Sequence, residues 1–172
     1  TVVGNLPVSF DMEQTQKLGP VIARANANRS MTYDYATVNT ETNLQDMLNS
    51  ANFRGTELLV PEKLFKKYVF FDGVNCLPEF PGLKSYDIDP DKCSPQTLAL
   101  MLAVYLRQTM VFLVGYDISN PVELTRLKSI ALANPATKFM YICNPPRTYQ
   151  LDDLANGFCD TFIKFQELID DA

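Results

Sequence analysis

The chain contains no histidine. That removes Ser-His-Asp and Cys-His nucleophile pairs, most zinc sites, and the commonest general base near neutral pH. Any catalysis has to come from Asp, Glu, Tyr, Lys or Cys, or from a metal held by oxygens, and the sequence singles out no metal ligands. The four cysteines, Cys76, Cys93, Cys143 and Cys159, form no C-x-x-C pair and no metal-type spacing. They are expected as free thiols packed as small hydrophobes. No apolar run reaches membrane-spanning length: the longest, 98–106, is closed by Arg107. The start of the sequence lacks the basic region, apolar stretch and cleavage site of a signal peptide, which points to a cytoplasmic protein. Basic excess is missing too. The net charge is -5 with scattered acidic residues, which leaves no footprint for nucleic acid or an anionic membrane. Lys63, Lys66 and Lys67 cluster within one helical segment and are expected to form a solvated face.

What is present is an ordinary globular composition, 47% hydrophobic and 20% charged over 172 residues, which fits one domain with a substantial core. There is no repeat, no low-complexity stretch and no Gly/Ser linker. Short β-rich runs alternate with helical segments. The runs are 1–4, 20–26, 35–39, 56–60, 68–71, 110–115 and 138–143. Helix starts are signalled by Asp11, by Asn43, by Pro61-Glu62, by Ser94-Pro95 and by Asn120-Pro121, with Glu123 placed to complete a capping box. The helix after Ser94 is apolar nearly all round and is expected to be buried. Residues 72–93 form an irregular stretch whose Cys76, Leu77, Phe80 and Leu83 suggest a packed loop. Over 150–172, Leu154, Phe158, Phe162, Phe165 and Ile169 recur at helical spacing, which predicts a C-terminal helical segment. Strands alternating with crossover helices predict an α/β fold: a single Rossmann-like, doubly wound, mostly parallel sheet with helices on both faces.

In such a sheet ligands bind outside the carboxyl ends of the strands. The first run ends at Gly4-Asn5, the second at Asn26, the third at Asn39 and the last at Asn144, while the run 110–115 leads into Tyr116-Asp117. Carboxamides offer donors and acceptors without charge, so a set of them on one edge suits a nucleobase, a ribose or a sugar. A bare phosphate is suited better by helix N-termini. Singly, each asparagine is equally at home as a turn or cap residue. The turn after the first run has one glycine where a dinucleotide fingerprint needs three, and it lacks the acidic cluster of a receiver-type domain.

The order G-N-x-P, I-A-R-A-N, A-T-V-N, then Thr56-Glu57-Leu58-Leu59, then Ser94 with LALMLAVYL, VFLVGYD and KFMYICNPP, resembles the bacterial CMP-sialic-acid-dependent sialyltransferases of the Campylobacter type and related Rossmann-like glycosyltransferase domains. The resemblance covers residues 2–146. It implies a cytidine nucleotide, CMP or a CMP-sugar, bound along the strand ends. Asn5, Asn26, Asn39 and Ser94 would contact it, Gly4 would allow close approach, and Gly115 and Asp117 would close the matching Gly-x-Asp turn. The chain departs from the family in lacking its catalytic histidine and the late insertion that carries it. Ile118-Ser119-Asn120 stands where the family has phosphate-holding tyrosines, and Pro95 replaces the glycine after the serine.

Two readings follow. One is a nucleotide or nucleotide-sugar binding domain, a trimmed glycosyltransferase core whose only candidate bases are carboxylates such as Asp117 or Asp72. The other is a non-enzymatic scaffold, an assembly component or viral accessory protein, meeting a second copy or another protein through its C-terminal helix. Tyr116 and Tyr141 are candidate phosphate donors, with core packing the competing role.

Overall fold

The computed structural model describes residues 15–24, 33–50, 55–80, 89, 92–143, 151 and 153–171, together with the backbone of residues 2–3. In chain order the elements are β1 (Val2–Val3), a 3-10 turn (Gln16–Leu18), β2 (Ile22–Arg24), β3 (Tyr35–Thr37), α1 (Glu41–Leu48), β4 (Glu57–Val60), α2 (Glu62–Tyr68) and β5 (Val74–Cys76). They continue with α3 (Pro95–Tyr105), β6 (Met110–Val114), α4 (Pro121–Ala133), β7 (Lys138–Ile142), β8 (Gly157–Asp160) and α5 (Phe162–Asp170).

The strands form one sheet in the order β5-β4-β3-β2-β1-β6-β7-β8, and every pair is parallel. The two-residue β1 joins a four-stranded half to a three-stranded half. The order reverses there, so the crevice between β1 and β6 is the topological switch point of a doubly wound sheet.

Both faces are covered, which is why the strands are apolar at nearly every position. Alternate residues go to opposite sides. Ile22, Leu59, Val111, Leu113, Phe139 and Tyr141 pack against α3 and α4. Val21, Ala23, Ala36, Val38, Leu58 and Val60 pack beneath α1 and α2, while Phe112, Val114 and Ile142 pack against Phe165 and Ile169 of α5. Helix α3 crosses the middle of the first face, against β1, β2 and β3, with α4 beside it. Residues 96–103 of it are buried. Each such leucine contributes about 1.5–3 kcal/mol relative to an exposed one.

The caps follow the sequence closely at α3 and α4. Ser94 accepts from the Thr97 N–H and Asn120 from the Val122 N–H, each followed by proline. Helix α1 starts earlier than Asn43 suggests, because Thr40 caps it by accepting from the Asn43 N–H. The helix expected after Asp11 is described only at its end, as the 3-10 turn.

Three expectations change. Residues 68–71 are not a strand: Tyr68 ends α2, and Phe70 and Phe71 lie in the exposed turn beyond it. Their apolarity mimics a strand without being buried. The edge strand β5 instead lies inside the stretch 72–93, too short to carry a periodic signal of its own. The segment 150–172 is not wholly helical, since β8 precedes α5. Leu151 and Leu154 serve the α3/α4 side while Phe165 and Ile169 serve the α5 side, so the apparent single stripe spans both faces of the sheet.

Candidate functional site

At the carboxyl edge beside the switch point, β3 is tied to the start of α3. Thr37 Oγ1 donates to the Pro95 carbonyl at 2.6 Å, and Asn39 Nδ2 donates to the Cys93 carbonyl at 2.7 Å. These two bonds flank Ser94 and fix where α3 begins. On the other side, β6 runs into Gly115, whose φ of 63° lies in the left-handed region that favours glycine. The chain turns there and delivers Tyr116 to the core and Asp117 to the edge. The Gln96 side chain spans the gap: its Nε2 donates to the Asp117 carbonyl at 3.0 Å, and its Oε1 accepts from the Asp117 N–H at 3.3 Å.

The centre of this arrangement is Glu123, in the first turn of α4 and only 6% exposed. Its Oε2 accepts from Ser94 Oγ at 2.5 Å, Thr97 Oγ1 at 2.6 Å and Gln96 Nε2 at 3.3 Å. Its Oε1 accepts from Arg126 Nη1 at 2.8 Å. Burial alone would raise this carboxyl's pKa. The bonds from Ser94, Thr97 and Gln96, with the Arg126 charge, outweigh it and hold Glu123 below the usual carboxylate range. So Glu123 does not close the capping box expected of it; its carboxylate points across to α3.

Half-buried Arg24, at the end of β2, belongs to the same charge cluster. Burial lowers its pKa, against the opposing pull of Asp117 and Glu123. Burial also pushes the Cys93 thiol up to about 12, which leaves it an inert core group. The Tyr116 phenol is fully buried and raised by that burial and by the Glu123 charge, with Thr97 acting in the opposite sense. Among the described residues its Oη has no partner in hydrogen-bond geometry. Thr97 lies near enough to influence it, but the hydroxyl of Thr97 is already given to Glu123.

Of the residues expected at the site, Asn39, Ser94, Gly115 and Asp117 come together here. Gly4, Asn5, Asn26 and Asn144 lie outside the described residues. Ser94 has committed its proton to Glu123, so it can offer a ligand only an acceptor lone pair. Asp117 Oδ1 accepts from the Ser119 N–H at 3.0 Å and Ser119 Oγ at 2.6 Å. The second Asp117 oxygen and the remaining polar valences of the Asn39 amide carry no hydrogen bond among the described residues. Asp72 precedes β5 at the opposite, amino-terminal edge and takes no part. Tyr116 and Tyr141 are core residues.

No motif in the sequence points to Arg24, Gln96, Thr97 and Arg126, and local pattern marks Glu123 only as part of a cap. One signal was available: Gln96 and Thr97 are the polar exceptions at the head of a helix otherwise apolar all round.

Among the described residues, cavities lie elsewhere. One of about 920 Å³ opens at the amino-terminal edge between Leu48, Thr56, Phe71 and Gly73. One of about 240 Å³ lies between the ends of α3 and α4, near Phe80, Arg107 and Asn134. Among the described residues no group of His, Cys, Asp and Glu is arranged to hold a metal ion, and no helix is long and apolar enough to cross a membrane. Compared with known protein families, characterised proteins and solved structures, the chain matches none.

Proposed function

We propose that this chain is a nucleotide- or nucleotide-sugar-binding domain, a glycosyltransferase-like core that binds its ligand without carrying out sugar transfer. The observation that carries this reading is the convergence of Asn39, Ser94, Gly115 and Asp117 at the switch point of a doubly wound parallel sheet, where such folds take their ligands. Half-buried amide and carboxylate groups with open valences suit ribose, base or sugar hydroxyls. The sialyltransferase-like motif order favours a cytidine nucleotide among these. Glu123 is fully engaged, which leaves Asp117 as the carboxylate of the site with an open oxygen among the described residues, and the lack of any histidine beside it supports binding over transfer.

Thermal unfolding with CMP, CDP, UDP, their sugars and dinucleotides tests the proposal. A ligand at a hundred times its dissociation constant adds about 2.7 kcal/mol of stability. Cytidine nucleotides are expected to raise the midpoint, and Asn39→Ala to abolish that rise while the variant still melts cooperatively. No shift from any nucleotide at millimolar concentration would sink the proposal.

A scaffold role is the second reading. Phe158 in β8 and Ile163 in α5 stay 43% and 70% exposed, while Phe165 is buried. A self-associating chain would show its dimer mass in sedimentation, and Ile163→Asp would return it to the monomer.

A further inference from the structure

The amino terminus of α3 would ordinarily be the place on this edge for an anion, since eleven residues of aligned peptide dipoles end there. Here a carboxylate of the protein lies against it, held by the side chains of the first turn, while the Thr97 N–H is taken by the Ser94 cap. The Glu123 carboxylate lies across the first turn of α3, held by Ser94, Gln96 and Thr97, with Arg126 behind it. Asp117 and Arg24 complete the cluster, so among the described residues two carboxylates are set against two guanidinium groups and their charges balance. The Tyr116 hydroxyl, wholly buried and unpartnered among the described residues, feels the Glu123 charge and adds no positive charge of its own. The open valences nearby, on Asn39 and on the second Asp117 oxygen, are an uncharged amide and an acceptor. Neither favours phosphate.

We propose that Glu123 is a specificity-determining residue: by filling the anion position of α3 with its own carboxylate, it admits an uncharged, hydroxyl-bearing moiety at the switch point and keeps phosphate off this helix. The inference rests on the nucleotide-binding reading above for the identity of the ligand. It deepens that reading by assigning the nucleoside or sugar half, not the phosphate, to the α3 end of the crevice. Phosphate then has to lie away from α3.

Amide-resolved NMR titration of the whole chain at neutral pH tests this with three probes: inorganic phosphate, cytidine and CMP. In the wild type, tens of millimolar phosphate are expected to leave the Gln96 and Thr97 amides in place. Cytidine and CMP are expected to bind within about three-fold of one another, a small gap on the affinity scale. Glu123→Gln keeps the shape and most hydrogen bonds while removing the charge. Phosphate should then move the Gln96 and Thr97 amides, and the preference for CMP over cytidine should rise at least about ten-fold. The proposal is overturned if phosphate moves these amides in the wild type, if the wild type prefers CMP about ten-fold or more, or if a folded Glu123→Gln gains nothing. The wild-type arms decide even if the variant fails to fold. Should neither cytidine nor CMP bind while phosphate behaves as expected, the nucleotide reading falls and the exclusion of anions by Glu123 stands.

Discussion

At the scale of single residues, Glu123 has a pH dependence set by its surroundings. Four donors face its two oxygens, so its folded pKa lies below that of an ordinary carboxyl. A lowered folded pKa means that the ionised form stabilises the fold. That contribution is complete above the ordinary carboxyl range, near pH 4.3, and is lost as pH falls through the lower folded value. Glu123→Gln should therefore cost about 1.5–3 kcal/mol at pH 7, the range for hydrogen bonds to a charged group. The gap to the wild type should close below about pH 4. Urea unfolding of both proteins between pH 3 and 7 measures this, and a pH-independent gap would contradict it. The sequence placed Glu123 correctly at the head of α4 but not its partners. The pattern Asn-Pro-x-Glu identifies a helix start through local chemistry, whereas the choice between capping its own helix and reaching to α3 depends on how closely the two helices approach.

At the scale of elements, the least legible part was the C-terminal end. Asn156 shows what organises it: one buried amide donates to the carbonyls of Ala131 at 3.0 Å, Asn134 at 3.1 Å and Thr137 at 2.8 Å. It fastens the end of α4 to the start of β7 just before β8 begins. Replacing it by alanine leaves those three carbonyls without this donor, and the expected cost is about 2 kcal/mol. Chemical denaturation checks this, and hydrogen exchange should show the loss concentrated in the last turn of α4 and in β7 and β8. Gly157 follows at once, where an added Cβ would stand 3.0 Å from the Leu154 Cβ and 3.2 Å from the Leu151 carbonyl oxygen. Leu151 and residues 153–157 thus pack tightly against the core ahead of β8, and this interrupts the helical spacing. Periodicity is blind to it, because a stripe of apolar residues reads the same whether one face or two receive it. The strands β6 and β7 and the helices α3 and α4 were legible because caps, proline and continuous apolar runs all agree there.

At the scale of the whole molecule, the described residues form one core cluster under α3 and α4 and two on the other face, under α1 and α2 and under α5, but not every large apolar residue belongs to them. Phe70 is 96% exposed in the turn after α2, with Phe71 half-exposed beside it. Phe70→Ser should leave stability unchanged within about 0.5 kcal/mol, as expected for a surface site that packs against nothing. A thermal melt decides this; a clear loss would mean that Phe70 is covered in solution. The sequence by itself determined the class of fold. Apolar strands alternating with capped helices can bury their surface only as a sheet covered on both faces, and that logic is local and repeated. It also determined which edge to search, since the carboxyl ends of strands follow from chain direction alone. Only the tertiary structure decided what the edge contains. Ser94 and Glu123 stand 29 residues apart, and Asn39 and Cys93 stand 54 apart. Such pairs meet because the sheet reverses its order at β1 and brings the starts of α3 and α4 together. A carboxylate read as the cap of one helix thereby becomes the charge at the head of another.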